Sequence, residues 1–129
     1  MTPEMTPELD FRTLTDDERQ LIETLLAHDF PGRDQLFLQL EFATARRIFN
    51  DGTLELQTPG HPVAAVTRRV PVEGTCLDDD GKTIHILLHV KDGFLHELEI
   101  LKADSSPIIS SPKASKVVPW VEYGAVPRP

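Results

Sequence analysis

The clearest apolar period in this chain is helical. Leu21, Ile22, Leu25 and Leu26 fall on one face of a 3.6-residue repeat that follows Leu14-Thr-Asp-Asp-Glu18. Thr15 can accept a hydrogen bond from a free amide of the first turn, and Glu18 stands three residues later to complete a capping box. Asp16 and Asp17 complement the helix dipole. A helix is predicted from here to about His28, ahead of the break at Phe30-Pro-Gly32. A second, shorter helix is predicted with Asp34 as its cap, carrying Leu36, Phe37 and Leu40 inward. The same stretch, Leu36 to Phe42, also alternates like a strand, and helix is the preferred reading.

From Ala43 the pattern changes to β-branched residues punctuated by turn signals. Strands are predicted near 44–49, 53–58, 66–77, 83–90 and 94–101. Three turns share a form, Asn50-Asp51-Gly52, Asp79-Asp80-Gly81 and Lys91-Asp92-Gly93, each read as a three-residue loop with a left-handed glycine. At the third turn this sets Val90 opposite Phe94, Leu88 opposite His96, Ile86 opposite Leu98 and Ile84 opposite Ile100. A two-residue loop would instead place Glu97 and Glu99 beside Leu88 and Ile86, burying charges without partners, and is rejected. The same loop at 79–81 sets Cys76, Gly74, Val72 and Val70 opposite Ile84, Ile86, Leu88 and Val90.

These elements predict an α+β fold: two N-terminal helices on one face of a mainly antiparallel meander of about five strands. Residues 1–13, with their repeated Met-Thr-Pro-Glu, read as a flexible lead-in. Residues 14–101 form the domain, and 102–129, rich in Pro and Ser, wrap the same body with Val117, Val118 and Trp120 as anchors.

Composition narrows the function classes. With 129 residues, 40% hydrophobic and 26% charged, the chain suits one globular domain. Thirteen basic against twenty-one acidic residues give a formal charge of -8, which argues against nucleic acid and favours a basic protein partner. No stretch reaches the length of a membrane span, and the N-terminus lacks the features of a secretion signal. Cys76 has no partner for an internal disulfide, which fits a cytoplasmic protein, and its place on the apolar face reads as core packing.

Candidate chemistry lies on the outer sheet face, predicted to carry Glu73, Thr75 and Leu77, then His85, Leu87 and His89, then Leu95, Glu97 and Glu99. His85 is placed opposite Thr75 and Glu99, and Leu87 between Glu73 and Glu97. Such a face suits a solvated surface, an interaction patch with an apolar centre and acidic surround, or a weak metal site. The partner-binding residues expected are Glu73, His85, Leu87, His89, Leu95, Glu97 and Glu99. No catalytic, cofactor or metal residues are assigned. His96 is read as a core histidine, while His28 and His61 lie at a helix end and in a loop with no convergent partners. Asp78-Asp-Asp-Gly81 lacks the ligand spacing of an EF-hand and reads as a solvated turn. Arg46-Arg47 and Arg68-Arg69 alternate across the sheet without forming a basic groove, and Arg47 is expected to pair with Glu55. There is no phosphate-binding glycine loop and no nucleophile elbow.

The stretch Asp78–Ile108 resembles a group of small uncharacterised bacterial proteins, through Asp92-Gly93, Leu95, Glu97-Leu-Glu-Ile100, Asp104 and Pro107-Ile108. Leu14-Thr-x-x-Glu18 with its leucine-rich helix is similar too. The resemblance implies a helical pair followed by an antiparallel sheet and supplies no reaction. Leu101 and Lys102 stand where that group carries an aromatic residue and an arginine. The function expected is a non-catalytic protein-binding module, in its most concrete form a toxin-neutralising immunity protein covering a basic effector. The alternative is a small metal-binding protein or enzyme using His85, His89 and nearby glutamates.

Overall fold

In the computed structural model, which describes residues 7–49, 51–60 and 62–121, the capping box at Thr15 forms and opens helix α1, Asp16–Leu26. Asn50, His61, the first six residues of the lead-in and residues 122–129 lie outside the described residues. Glu18 accepts from the Thr15 amide at 2.9 Å and is also gripped by Arg12, so one carboxylate joins the helix start to the strand before it. Helix α2, Arg33–Leu40, is not capped by Asp34. Gly32, at φ 90°, is its N-cap, and Asp34 sits in the first turn, where its charge complements the dipole. Leu36 and Leu40 are buried, but Phe37 points outward at 45% exposure.

Seven strands rather than about five make one antiparallel sheet: β1 (Arg12–Thr13), β2 (Thr44–Arg47), β3 (Leu54–Gln57), β4 (Val72–Leu77), β5 (Thr83–Lys91), β6 (Phe94–Lys102) and β7 (Val118–Trp120). Their spatial order is β1-β2-β3-β6-β5-β4-β7. The strand expected from residue 66 starts only at Val72, since 66–71 lack a ladder partner apart from the Val90 amide donating to the Arg69 carbonyl. A short 3-10 turn, Ala114–Lys116, leads into β7.

The β4–β5 register is the one expected from Val72 onward, with Cys76 opposite Ile84, Gly74 opposite Ile86 and Val72 opposite Leu88; the expected pair Val70–Val90 is not in the ladder, because the strand begins only at Val72. The β5–β6 register is not. Lys91 pairs with Phe94 and Val90 with Leu95 across a two-residue turn in which Asp92 (φ 53°) and Gly93 (φ 85°) are both left-handed, the type I′ form that suits the sheet twist. A bulge then lets His89 pair with Glu97, leaving His96 as the extra residue. Leu88 faces Leu98 and Ile86 faces Ile100, so the bulge removes the charge burial that counted against the short loop. Leu95 therefore enters the core at 2% exposure, and His96 is half-exposed instead of buried.

One cluster of buried side chains joins Leu21, Ile22, Leu25 and Leu26 of α1 and Leu36 and Leu40 of α2 to Leu54, Ile84, Ile86, Leu88 and Leu98 of the sheet. The approach is closest at Gly74, where a Cβ would lie 2.6 Å from Val117 Cγ1 and 2.8 Å from Leu25 Cδ2. Among the described residues after 110 the buried anchors are Val117 and Val121, while Val118 and Trp120 remain exposed. Gln39 of α2, wholly buried, donates to the Pro62 and Gly93 carbonyls (2.8 Å to the latter) and accepts from the Leu95 amide at 3.0 Å. A single amide side chain thus fastens α2 to the I′ turn.

Candidate functional site

The sheet face that carries Glu73, Leu87 and Glu99 presents three cross-strand rows. Trp120, Glu73, Leu87 and Glu99 stand side by side on β7, β4, β5 and β6, and Val118, Thr75, His85 and Leu101 form the next row. The third row is His89, Glu97, Glu55 and Arg46 on β5, β6, β3 and β2. Six of the seven residues expected on this face are there. Leu95 is the exception, carried into the core by the bulge. The bulge also moves the partners by one step: Leu87 lies between Glu73 and Glu99, and His85 between Thr75 and Leu101.

Geometry draws one subset closer together. Ligand-capable atoms of His89, Glu97 and Glu99 lie within 4.8 Å of one another, and His89 Nε2 is 2.8 Å from Glu99 Oε1. His89 Nδ1 is shielded from solvent and has no hydrogen-bond partner among the described residues. His85 is outside this group. Arg46, not Arg47, pairs with Glu55, at 2.7 Å, because the β2–β3 ladder sets Arg47 opposite Leu54; Arg46 also lies over the Phe11 ring at 4.8 Å. The charge of Arg46 is thereby committed, while the carboxylates of Glu97 and Glu99 stand in adjacent rows.

Asp78, expected in a solvated turn, is buried instead. Its carboxylate accepts from the amides of Asp79, Ile109 and Ser110 and from Lys102 Nζ at 2.8 Å. Lys102 is equally buried and donates as well to Asp80 and to the Pro107 carbonyl. Burial alone would raise the Asp78 pKa, but the hydrogen bonds from Ile109, Lys102, Ser110 and Asp79 hold it well below the usual carboxylate range. Burial would likewise lower the Lys102 pKa, and its bonds to Asp78 and Asp80 reverse that to a rise. The bonds from Ile109 and Ser110 to Asp78, and from Lys102 to Asp78 and Pro107, make the cluster a fastening between the β4–β5 loop and residues 107–110. Asp104 and Pro107, both within the recognised stretch, serve the same purpose: Asp104 binds Lys82 at 2.6 Å, and Pro107 supplies a carbonyl to Lys102. Cys76 is buried, and burial followed by the charge of Asp78 pushes its thiol pKa up, which suits a core residue rather than a nucleophile.

A feature without a sequence signal is a cavity of about 310 Å³ at the other side of the sheet. The first turn of α1 (Asp17, Glu18), Arg47 at the end of β2, the turn at Asp51-Gly52 and residues 108–109 and 111–112 line it, with Leu21 and Ile100 as apolar walls. Four segments distant in the chain contribute, which is why no local motif announces it.

Residues 11–112 match the model of a family described as a domain of unknown function, DUF6984. No curated protein and no solved structure matches the chain.

Proposed function

Because the chain belongs to the DUF6984 family, which is defined without a function, we propose from its own geometry that it is a non-catalytic module that binds a basic protein through the sheet face opposite the helices. The observation that supports this most directly is the row Trp120, Glu73, Leu87 and Glu99, in which apolar and acidic side chains alternate across four strands. Leu77 and Val118, 68% and 64% exposed, extend the apolar part. Glu97 and Glu99 supply negative charge beside it, and the formal charge of -8 steers a cationic partner toward the molecule as a whole. Neutralisation of a cationic effector is the concrete form of this reading, and it requires no chemistry from the module.

The test compares wild type with Leu87→Ala and with Glu97→Lys/Glu99→Lys in capture from native cells, followed by kinetics on the recovered, purified partner. Leu87→Ala is expected to hasten dissociation, and the charge reversals to slow association and flatten its dependence on salt. A purified complex insensitive to all three changes refutes the surface.

A second reading is favoured by the convergence of His89, Glu97 and Glu99, a nitrogen and two carboxylates held on paired strands. Such a donor set suits zinc with an open coordination position. Zinc should then raise the melting temperature of the wild type and not of His89→Ala. An equal shift in both proteins, or none in either, rejects it.

A further inference from the structure

We propose that the cavity beneath Arg47 is a binding site for a small zwitterion with an apolar body, the chemical class of the branched-chain α-amino acids. It lies on the helix side of the sheet, so the proposal is independent of the docking face.

The argument begins with Arg47. Arg47 is about two-thirds or more buried, its Nε is closed off from solvent, and its guanidinium makes no hydrogen bond or ion pair among the described residues; its backbone amide donates to the Glu8 carboxylate at 2.7 Å, its carbonyl accepts from the Glu8 amide at 2.9 Å, and its charge is felt by Glu8 without direct contact. A buried Nε with no acceptor is costly, and the planar fork of a guanidinium matches a carboxylate. Arg12 shows the contrast within the same molecule, since both of its flanking acids, Glu8 and Glu18, bind it.

The acids around the cavity explain why a plain anion is the wrong occupant. Glu18 is spent on Arg12 and on the Thr15 amide. Asp51 uses one oxygen on the Thr53 amide, and Asp17 makes no hydrogen bond among the described residues. Free carboxylate oxygens therefore stand across a cavity whose cation is Arg47. A ligand bearing a carboxylate and an ammonium group satisfies both, whereas an anion alone meets repulsion from Asp17 and Asp51. Between the charged groups the walls are apolar, from Leu21, Ile100 and Ile108. The volume, about 310 Å³, lies at the small end of the roughly 300–1,000 Å³ typical of ligand sites, which favours an amino acid over a nucleotide. All the lining residues fall within the span 11–112 that matches the family, whereas Val118 and Trp120 fall outside it.

Calorimetry and thermal shift with L-leucine, isocaproate and isoamylamine test the assignment on the full chain. L-leucine is expected to bind and to stabilise, with isocaproate, which lacks the ammonium, and isoamylamine, which lacks the carboxylate, each at least tenfold weaker. Arg47→Gln should abolish the leucine response, and Asp17→Asn should weaken it. Ile108→Trp fills the cavity without touching its charges and should also abolish binding, so the proposal stays testable if Arg47→Gln fails to fold. No response to leucine, isoleucine or valine overturns the proposal. So does an isocaproate affinity equal to that of leucine, or leucine binding that survives both Arg47→Gln and Ile108→Trp.

Discussion

Replacing Gln39 with methionine removes three hydrogen bonds while nearly preserving side-chain volume, so the packing of α2 is kept and the polar contribution is isolated. The Leu95 amide loses its acceptor in a buried position, which costs about 1–3 kcal/mol. The Gly93 carbonyl keeps the Ala64 amide at 2.9 Å, and the Pro62 carbonyl belongs to a half-exposed residue within reach of water, so each adds only about 0.5–1 kcal/mol. The sum is about 2–5 kcal/mol, and for a domain of this size that lowers the melting temperature by about 6–20 °C. Gln39→Glu should be worse at neutral pH, because an oxygen replaces the amide nitrogen that faces two carbonyls. It should recover on acidification, as the buried carboxyl takes up a proton and regains a donor. Thermal unfolding followed by circular dichroism, with amide exchange at Leu95, measures all of this. A Gln39→Met protein within about 0.5 kcal/mol of wild type, with Leu95 exchange unchanged, would refute the account of Gln39 as the fastening of the turn.

Gly93→Ala should destabilise by more than the roughly 1–2 kcal/mol of left-handed strain alone, since its Cβ would sit 2.4 Å from Val63 Cγ1 and 2.9 Å from the Ala64 carbonyl; denaturant unfolding reads the difference. The folded-state pKa values of Asp78, Asp80 and Asp104 are depressed, so their stabilisation is present above the ordinary Asp range and is lost as pH falls from about 4 downward. Asp78→Asn should lower stability at neutral pH and flatten that acid limb, which melting curves between pH 2 and 7 will show; an acid limb identical to wild type would exclude Asp78 as its source.

What the sequence disclosed depended on whether a residue obeyed the usual rule for its type. Thr15 and Glu18 could be read because a capping box is local, and the β4–β5 register because the loop closed by Asp78 and Lys82 is regular, with the Gly81 amide bonded back to the Asp78 carbonyl. The β5–β6 register differs from the expected one because hydrophobic phase does not depend on loop length alone: an extra residue inside β6 restores it just as well. Regular alternation would place Leu95 outside and His96 inside, the reverse of what the bulge produces. Charged and amide residues misled in the opposite direction. Asp78, Lys102 and Gln39 carry side chains that are ordinarily solvated, and partners distant in the chain, among them residues 93–95 and 107–110, make their burial favourable. Arg47 and its cavity depend on contacts among segments up to about ninety positions apart, for which a single sequence holds no periodic signal.

The unmatched His96 also bears on how β6 tolerates changes in length. Leu95 and Glu97 point to opposite sides although two positions separate them, so excising His96 would make them consecutive and leave every other residue of the strand in phase with β5. Excising Leu101 instead would turn Lys102 away from Asp78. Within this strand, position 96 is therefore a spare beat: shortening there keeps both the acidic face and the core, while shortening nearer the end breaks the fastening to residues 107–110.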